Sequence, residues 1–182
     1  MMLAAVLGRW LEWLRPAPTQ GTLETIWVAE TAGAPMSNRL QTHMDNTGLE
    51  GDRYALGRGH WHPVESCPVT LICRAELDRA ARRARRLREP AAITPGEHRR
   101  NLVITGLRRS PHEGVLVIGQ VRFAILRPRP PCGWLNQVVG YNLARALGRD
   151  SGICLRTLES GILQVGDPVR WEPTSTATAS KQ

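Results

Sequence analysis

Lysine is almost absent from this chain. Lys181 is the only lysine among 182 residues, so arginine supplies nearly all of the positive charge. A covalent pyridoxal phosphate enzyme needs a lysine to form its Schiff base, and Lys181 stands in a polar tail of small residues. We therefore expect no covalent pyridoxal phosphate chemistry.

Long apolar runs and closely spaced cysteines are also lacking. No stretch reaches the roughly 18 apolar residues that a membrane-spanning helix needs, and no cysteine pair has the two-residue spacing of zinc sites or redox dithiols. The four cysteines are too sparse for a small disulfide scaffold. We expect reduced thiols in a cytoplasmic protein without a membrane partner, with Cys67, Cys73 and Cys154 as core residues.

The charge balance points to anionic partners. A net charge of +8 and a pI near 10.5 favour nucleic acid, phosphorylated cofactors or acidic proteins. The predicted helix over 75–88 carries arginines along one face, which could contact phosphates. No aromatic residue lies between these arginines to stack on bases, so nucleic acid is an unlikely partner. A high genomic GC content would also raise the proportion of arginine in the chain.

Patterning predicts one mostly-β barrel with a few inserted helices. We assign 1–20 to a short N-terminal helix or extension, 21–172 to the barrel domain and 173–182 to a disordered tail. Apolar runs predict strands over 69–73 and 102–105, and Gly119-Gln120 predicts a hairpin turn. Helical spacing predicts a single helix over 138–147, closed by Gly148.

Cys132 stands at a strand-to-helix junction. It follows the strand pattern 121–126 and a loop with three prolines, and two arginines precede it. Proline restricts the loop, and nearby positive charge favours the thiolate, which is both nucleophile and metal ligand. The segment predicts a presented, reactive cysteine; a small buried core residue is the alternative.

Two further polar segments are candidates for a binding site. Gly48-Leu49-Glu50-Gly51-Asp52-Arg53 is a glycine-flanked turn, and Arg99-Arg100-Asn101 leads directly into a strand. Arginine and asparagine can hold an anion and donate to a planar ring. His60 and His62 could share a metal, but no third ligand lies nearby in the sequence.

Taken together, these segments resemble the MOSC domain family, named for the C-terminal domain of molybdenum cofactor sulfurases. The match rests on the 48–53 turn with its following strand, the Arg99–Asn101 motif, Pro131-Cys132, and the closing Gly161 to Asp167 segment, in the family's order. It extends over about residues 22 to 171. One departure is Asp150-Ser151-Gly152, where the family often has Arg-Gly-Gly.

The resemblance implies a barrel related to the β-barrel domain of pyruvate kinase, and a role with the molybdenum cofactor, molybdopterin. Cys132 would be the catalytic residue and the molybdenum ligand. Arg99 and Asn101 would hold the pterin and its phosphate, with Asp52 and Arg53 near the same pocket. The sequence shows neither a desulfurase nor a reductase domain, so a separate electron donor or cysteine desulfurase is expected.

Three functions remain open at this point. The first is a molybdenum-dependent oxidoreductase acting on N-hydroxylated compounds. The second is a sulfur carrier that passes persulfide sulfur on Cys132 to a metal centre. The third is an anion- or nucleic-acid-binding module that uses the arginine face of the 75–88 helix.

Overall fold

The fold is known from a computed structural model, which describes residues 18–61, 67–89 and 93–174. Most of the predicted N-terminal helix and tail lies outside these ranges. The described part holds eleven strands and three helices. In chain order they are β1 Gln20–Val28, β2 Ser37–Arg39, β3 Gln41–Asp45, β4 Gly48–Leu49, β5 Val69–Cys73, α1 Arg74–Arg86, β6 Leu102–Thr105, β7 Val115–Ile118, β8 Val121–Pro128, α2 Gly133–Val139, α3 Leu143–Leu147, β9 Ile153–Glu159, β10 Gly161–Gln164 and β11 Pro168–Glu172.

Seven strands close into a barrel, which confirms the predicted mostly-β fold. Their order around the barrel is β11-β7-β8-β9-β5-β6-β1, and β1 pairs with β11 to complete the circle. Strand β2 extends the sheet beyond β1, while β10, β3 and β4 form a separate small sheet. All pairings in the barrel are antiparallel except β5 with β6, which α1 connects as a crossover helix.

The strands β5 and β6 are apolar on both sides because each side is covered. Leu71 and Ile104 face the barrel interior, whereas Ile72 and Val103 belong to a second cluster outside the barrel. Alternate strand residues point to opposite faces, and the outer face of this pair carries the three helices. The second cluster includes Leu77, Ala80 and Ala84 of α1.

Two predictions made from the sequence are wrong. One concerns the helix over 138–147, and the other concerns the cysteines. The predicted helix over 138–147 is split, because Gly140 ends α2 in the left-handed region (φ 81°) and α3 begins only at Leu143. Cys67 and Cys154 form a disulfide with Cα atoms 5.3 Å apart, which corrects the expectation of four reduced thiols. Cys73 and Cys132 are free.

Helix α1 is fixed to the barrel by polar contacts at both ends. Glu76 accepts a hydrogen bond from the backbone N–H of Cys73 over 3.0 Å and another from the Ser110 hydroxyl. Asp150 accepts from Arg79 and Arg83, with contacts of 3.1 and 2.7 Å. Within the described ranges, no helix has the length and apolar character to cross a membrane.

Candidate functional site

Cys132 is one of the residues that line a pocket beside the barrel. Strand β8 ends at Pro128, the backbone N–H of Arg129 donates to the Gly152 carbonyl over 2.8 Å, and α2 begins directly after the cysteine. The loop is therefore held at one end by a strand contact and at the other by a helix. The Cys132 side chain is half-buried and makes no disulfide. Both properties are needed for the accessible thiol that the sequence predicts.

The pocket encloses about 500 Å³, including the space open to solvent. Four arginines line it together with the free thiol, and four aromatic rings form its outer wall. The arginines are Arg53, Arg99, Arg100 and Arg129, and the rings belong to Tyr54, His60, Trp61 and Trp134.

Arg100 is the most buried of these arginines, with 5% of its surface exposed. Its guanidinium donates to the Ser151 carbonyl and hydroxyl, both at 2.7 Å, and to the carbonyls of His98 and Arg129. Burial and the neighbouring Arg129 lower its pKa to about 9, while the Cys132 sulfur acts in the opposite direction.

Arg99 also lines the pocket, and its backbone is in the left-handed conformation (φ 56°). It donates to the Ala34 carbonyl. Burial, followed by repulsion from Arg53, lowers its pKa to about 10, so the guanidinium stays charged at neutral pH. No carboxylate among the described residues forms an ion pair with Arg99 or Arg100, so the pocket has unneutralised positive charge.

Arg53 links the pocket to a buried polar network behind it. It donates to Oδ1 of Asp52 over 2.9 Å and to the Arg99 carbonyl over 3.4 Å. Asp52 is fully buried and also accepts from the backbone N–H groups of Ala29 and Tyr54. The carboxylate therefore neutralises Arg53 and holds the turn, and it does not line the pocket.

Asn101 occupies the centre of the same network. Its Oδ1 accepts from the backbone N–H and hydroxyl of Thr70, at 3.1 and 2.8 Å, and its Nδ2 donates to the Trp27 carbonyl and to Asp52. The side chain is 1% exposed and does not line the pocket. All of its hydrogen-bonding capacity is used within the protein.

The structure thus divides the predicted site residues into two groups. Cys132, Arg99 and Arg53 line one pocket, whereas Asp52 and Asn101 lie behind it as its support. That Asp52 and Asn101 contact a cofactor remains a prediction. Within the 99–101 motif, Arg99 and Arg100 both line the pocket, whereas Asn101 belongs to the buried network, and Arg99 has a left-handed backbone conformation.

Several residues that shape the pocket were not among the predicted site residues. Arg100 and Arg129 stand beside the predicted residues, but adjacency alone did not show that they face the same cavity. His60 stacks on Trp134 with ring centroids 4.2 Å apart, and Trp61 meets His60 edge-on at 4.8 Å. His60 and Trp134 are 74 positions apart in the sequence, so no local pattern connects them.

Metal ligation by histidine has no support in the described part of the chain. No group of three or more His, Cys, Asp or Glu side chains there could hold a metal ion. His62 lies outside the described residues, so the suggested His60–His62 pair is untested. A metal in this pocket would need ligands from a cofactor in addition to Cys132.

The arginine face of α1 is partly used inside the protein. Arg79 and Arg83 contact Asp150, and Arg83 also donates to the Ala146 and Leu147 carbonyls. Arg82, Arg85, Arg86 and Arg88 are exposed. None of these helix residues lines the thiol-containing pocket, so the two basic surfaces are separate.

Comparisons with known proteins agree with this architecture. The chain resembles solved structures of the YuaD protein from Bacillus subtilis (TM-score 0.67, 17% identity, covering 84% of this chain and 97% of that chain) and of YiiM from Geobacillus stearothermophilus (0.63, 16%, 86% and 77%). YiiM from Escherichia coli is similar as well (0.56, 17%, 87% and 70%). At these identities the likeness shows a shared fold alone.

A protein-family model gives the assignment at the level of sequence. No curated protein matches the chain significantly. The model described as the MOSC domain matches residues 50–170, which include Asp52, the 99–101 motif and Cys132. Because this match spans well over half of the chain, the protein belongs to the MOSC domain family.

Proposed function

We propose that this protein binds the molybdenum cofactor in the arginine-lined pocket and acts as an oxidoreductase on N-hydroxylated compounds. Cys132 would be the protein ligand to molybdenum, and a separate protein would donate electrons. The observation that carries the proposal is the free Cys132 thiol in one pocket with Arg99 and Arg100, neither of which has a carboxylate partner among the described residues.

The residues present fit this cofactor chemically. Molybdopterin carries a phosphate and a dithiolene, both anionic, on a planar heterocycle. Unneutralised arginines favour such a polyanion, and their planar forks suit phosphate oxygens and ring edges. A thiolate is a soft donor and suits molybdenum for the reason that soft ligands select soft metals.

Each pocket group has a distinct task in this proposal. Arg99 and Arg100 would bind the anionic groups of the cofactor. The stacked rings of His60 and Trp134 would exclude water from one side. The bound cofactor would supply two-electron redox chemistry, since reducing an N–OH group to N–H consumes two electrons and two protons and releases water.

The direct test is metal and pterin analysis of the purified protein from a host that makes molybdenum cofactor. We expect about one molybdenum per chain in the wild type and a large loss in Cys132→Ser. Cys73→Ala is the matched control, because it removes the other free thiol, which is buried outside the pocket. Equal molybdenum and pterin content in Cys132→Ser and wild type would refute the ligand assignment.

A sulfur carrier is the second candidate, favoured by the half-buried, unpaired state of Cys132. The Cys132 thiolate would attack the terminal sulfur of a desulfurase persulfide, forming a Cys132 persulfide and releasing the desulfurase thiolate. Mass spectrometry after incubation with a cysteine desulfurase and cysteine would show one added sulfur on Cys132. A molybdenum-free protein that gains no sulfur under these conditions would exclude this candidate.

A further inference from the structure

A second cavity lies on the opposite side of the 93–101 segment, between α1 and the outer face of β1. It encloses about 1020 Å³, including the solvent at its mouth. It shares no lining residue with the arginine pocket. Much of its wall is apolar, formed by Trp27, Leu77, Ala81, Ile93 and Pro95.

His98 presents a hydrogen-bond donor to this cavity. The residue is 3% exposed, and its Nδ1 accepts a hydrogen bond from the backbone N–H of Arg100 over 3.1 Å. In a neutral imidazole the other nitrogen, Nε2, then carries the hydrogen. Every buried side-chain nitrogen or oxygen in the described ranges has a partner. His98 Nε2 has no acceptor among the described residues. It is therefore not one of the fully buried atoms, and it is accessible from the cavity that His98 lines.

The surrounding groups leave this donor available and fix its ring. Trp27 contacts the imidazole edge-on, with centroids 6.3 Å apart. The indole N–H of Trp27 already donates to the Thr25 hydroxyl over 2.9 Å. Burial, with help from the charges of Arg100 and Arg74, lowers the pKa of His98 to about 3. The imidazole is therefore an uncharged donor at neutral pH.

The charges at the cavity mouth balance one another. Arg74 forms a bidentate ion pair with Glu24, and the lining also contains one further arginine, Arg85, and one carboxylate, Asp78. A charged ligand would lose its hydration here without meeting a net opposite charge. A neutral molecule with an oxygen acceptor would lose less hydration free energy on binding. Its oxygen would accept a hydrogen bond from the Nε2–H group of His98.

We propose that this cavity is a second binding site, for a small neutral molecule with an apolar body and a carbonyl oxygen that accepts a hydrogen bond from His98 Nε2. The apolar body would pack against Trp27, Leu77 and Ala81. The site does not depend on the proposed function, because its lining residues are separate from the thiol and the arginines of the first pocket.

The test is a titration of the full-length protein followed by histidine and tryptophan NMR signals. Acetophenone carries the carbonyl, toluene has an apolar body without an acceptor, and benzoate is the charged counterpart. We expect acetophenone to shift the His98 and Trp27 signals. We also expect it to bind roughly fivefold more tightly than toluene, because this ratio corresponds to the free energy of one hydrogen bond. Benzoate should bind more weakly than acetophenone.

Two variants separate the hydrogen bond from the cavity. His98→Phe should abolish the preference for acetophenone over toluene. Ala81→Phe should fill the cavity and block both probes without touching the imidazole, and Ala75→Phe on the same helix, outside the cavity, should leave binding unchanged. Equal affinity of the wild type for acetophenone and toluene, or no shift of the His98 signals at the solubility limit of acetophenone, would overturn the proposal.

Discussion

Asn101 and Asp52 are joined by a buried hydrogen bond of 3.0 Å, from Nδ2 of the amide to Oδ1 of the carboxylate, across 49 residues of sequence. The amide also bonds to Thr70 on β5 and to the Trp27 carbonyl on β1. One side chain thus connects two barrel strands to the 48–53 turn. Since Arg53 follows Asp52, the network also fixes one wall of the arginine pocket.

Asn101→Ala should therefore destabilise the fold strongly. The substitution leaves the Thr70 N–H and the Trp27 carbonyl buried without these partners, and we expect a loss of about 3 kcal/mol in the free energy of unfolding. Urea unfolding followed by circular dichroism measures it. Asn38→Ala is the control, because Asn38 is exposed on β2 and should change stability little. A loss below about 1 kcal/mol in Asn101→Ala would contradict the structural role.

The strands of this network were predictable, while the network itself was not. Apolar runs over 69–73 and 102–105 indicated strands, and Gly119-Gln120 indicated the β7–β8 hairpin, where Ile118 pairs with Val121. That Asn101 points inward and Arg99 toward the pocket could not be predicted, because the left-handed conformation of Arg99 interrupts the expected alternation of side chains.

Long-range pairings escaped prediction for a related reason. Cys67 and Cys154 are separated by 87 residues and meet only because β5 and β9 are neighbours in the barrel. Local spacing cannot reveal such a pair. The helix break at Gly140 was missed because the apolar pattern continues through it, although a glycine near the end of a helix commonly adopts the left-handed conformation that ends it.

Reducing the Cys67–Cys154 disulfide should lower stability by about 2–4 kcal/mol, because the bond closes a long loop in the unfolded chain. The variant Cys67→Ser with Cys154→Ser measures the same loss without a reductant, by urea unfolding. Alkylation of the denatured protein before reduction should label only Cys73 and Cys132 of the four cysteines. Labelling of all four would show that the bond is not formed.

Acid should destabilise the protein through His98. Its folded pKa of about 3 lies below the ordinary value of 6.5, so between these values the unfolded chain binds a proton that the folded chain does not. Stability is therefore lost as pH falls below about 6.5, by about 2 kcal/mol from this residue between pH 7 and pH 5. The free energy of unfolding, measured across this range, should fall less steeply in His98→Gln.

His43→Gln is the matched control for the pH experiment, since His43 is exposed on β3. Its pH dependence should follow that of the wild type. If His98→Gln and wild type lost stability in parallel as the pH fell, His98 would be protonated in the folded protein. The uncharged donor assigned to the second cavity would then be wrong as well.

Arg99 gives the sharpest test of the pocket as an anion site. Its guanidinium remains charged at neutral pH and has no carboxylate partner among the described residues, so its charge is available to a bound phosphate or other anion. Arg99→Gln should reduce the molybdenum and pterin content of the purified protein roughly tenfold, because one charge-assisted hydrogen bond contributes about that much to affinity.

Arg99→Lys should retain part of the content, since it keeps the charge but not the planar fork. Arg82→Gln removes an exposed arginine outside the pocket and should have no effect. Equal losses in Arg99→Gln and Arg82→Gln would mean that overall positive charge, and not this pocket, attracts the cofactor.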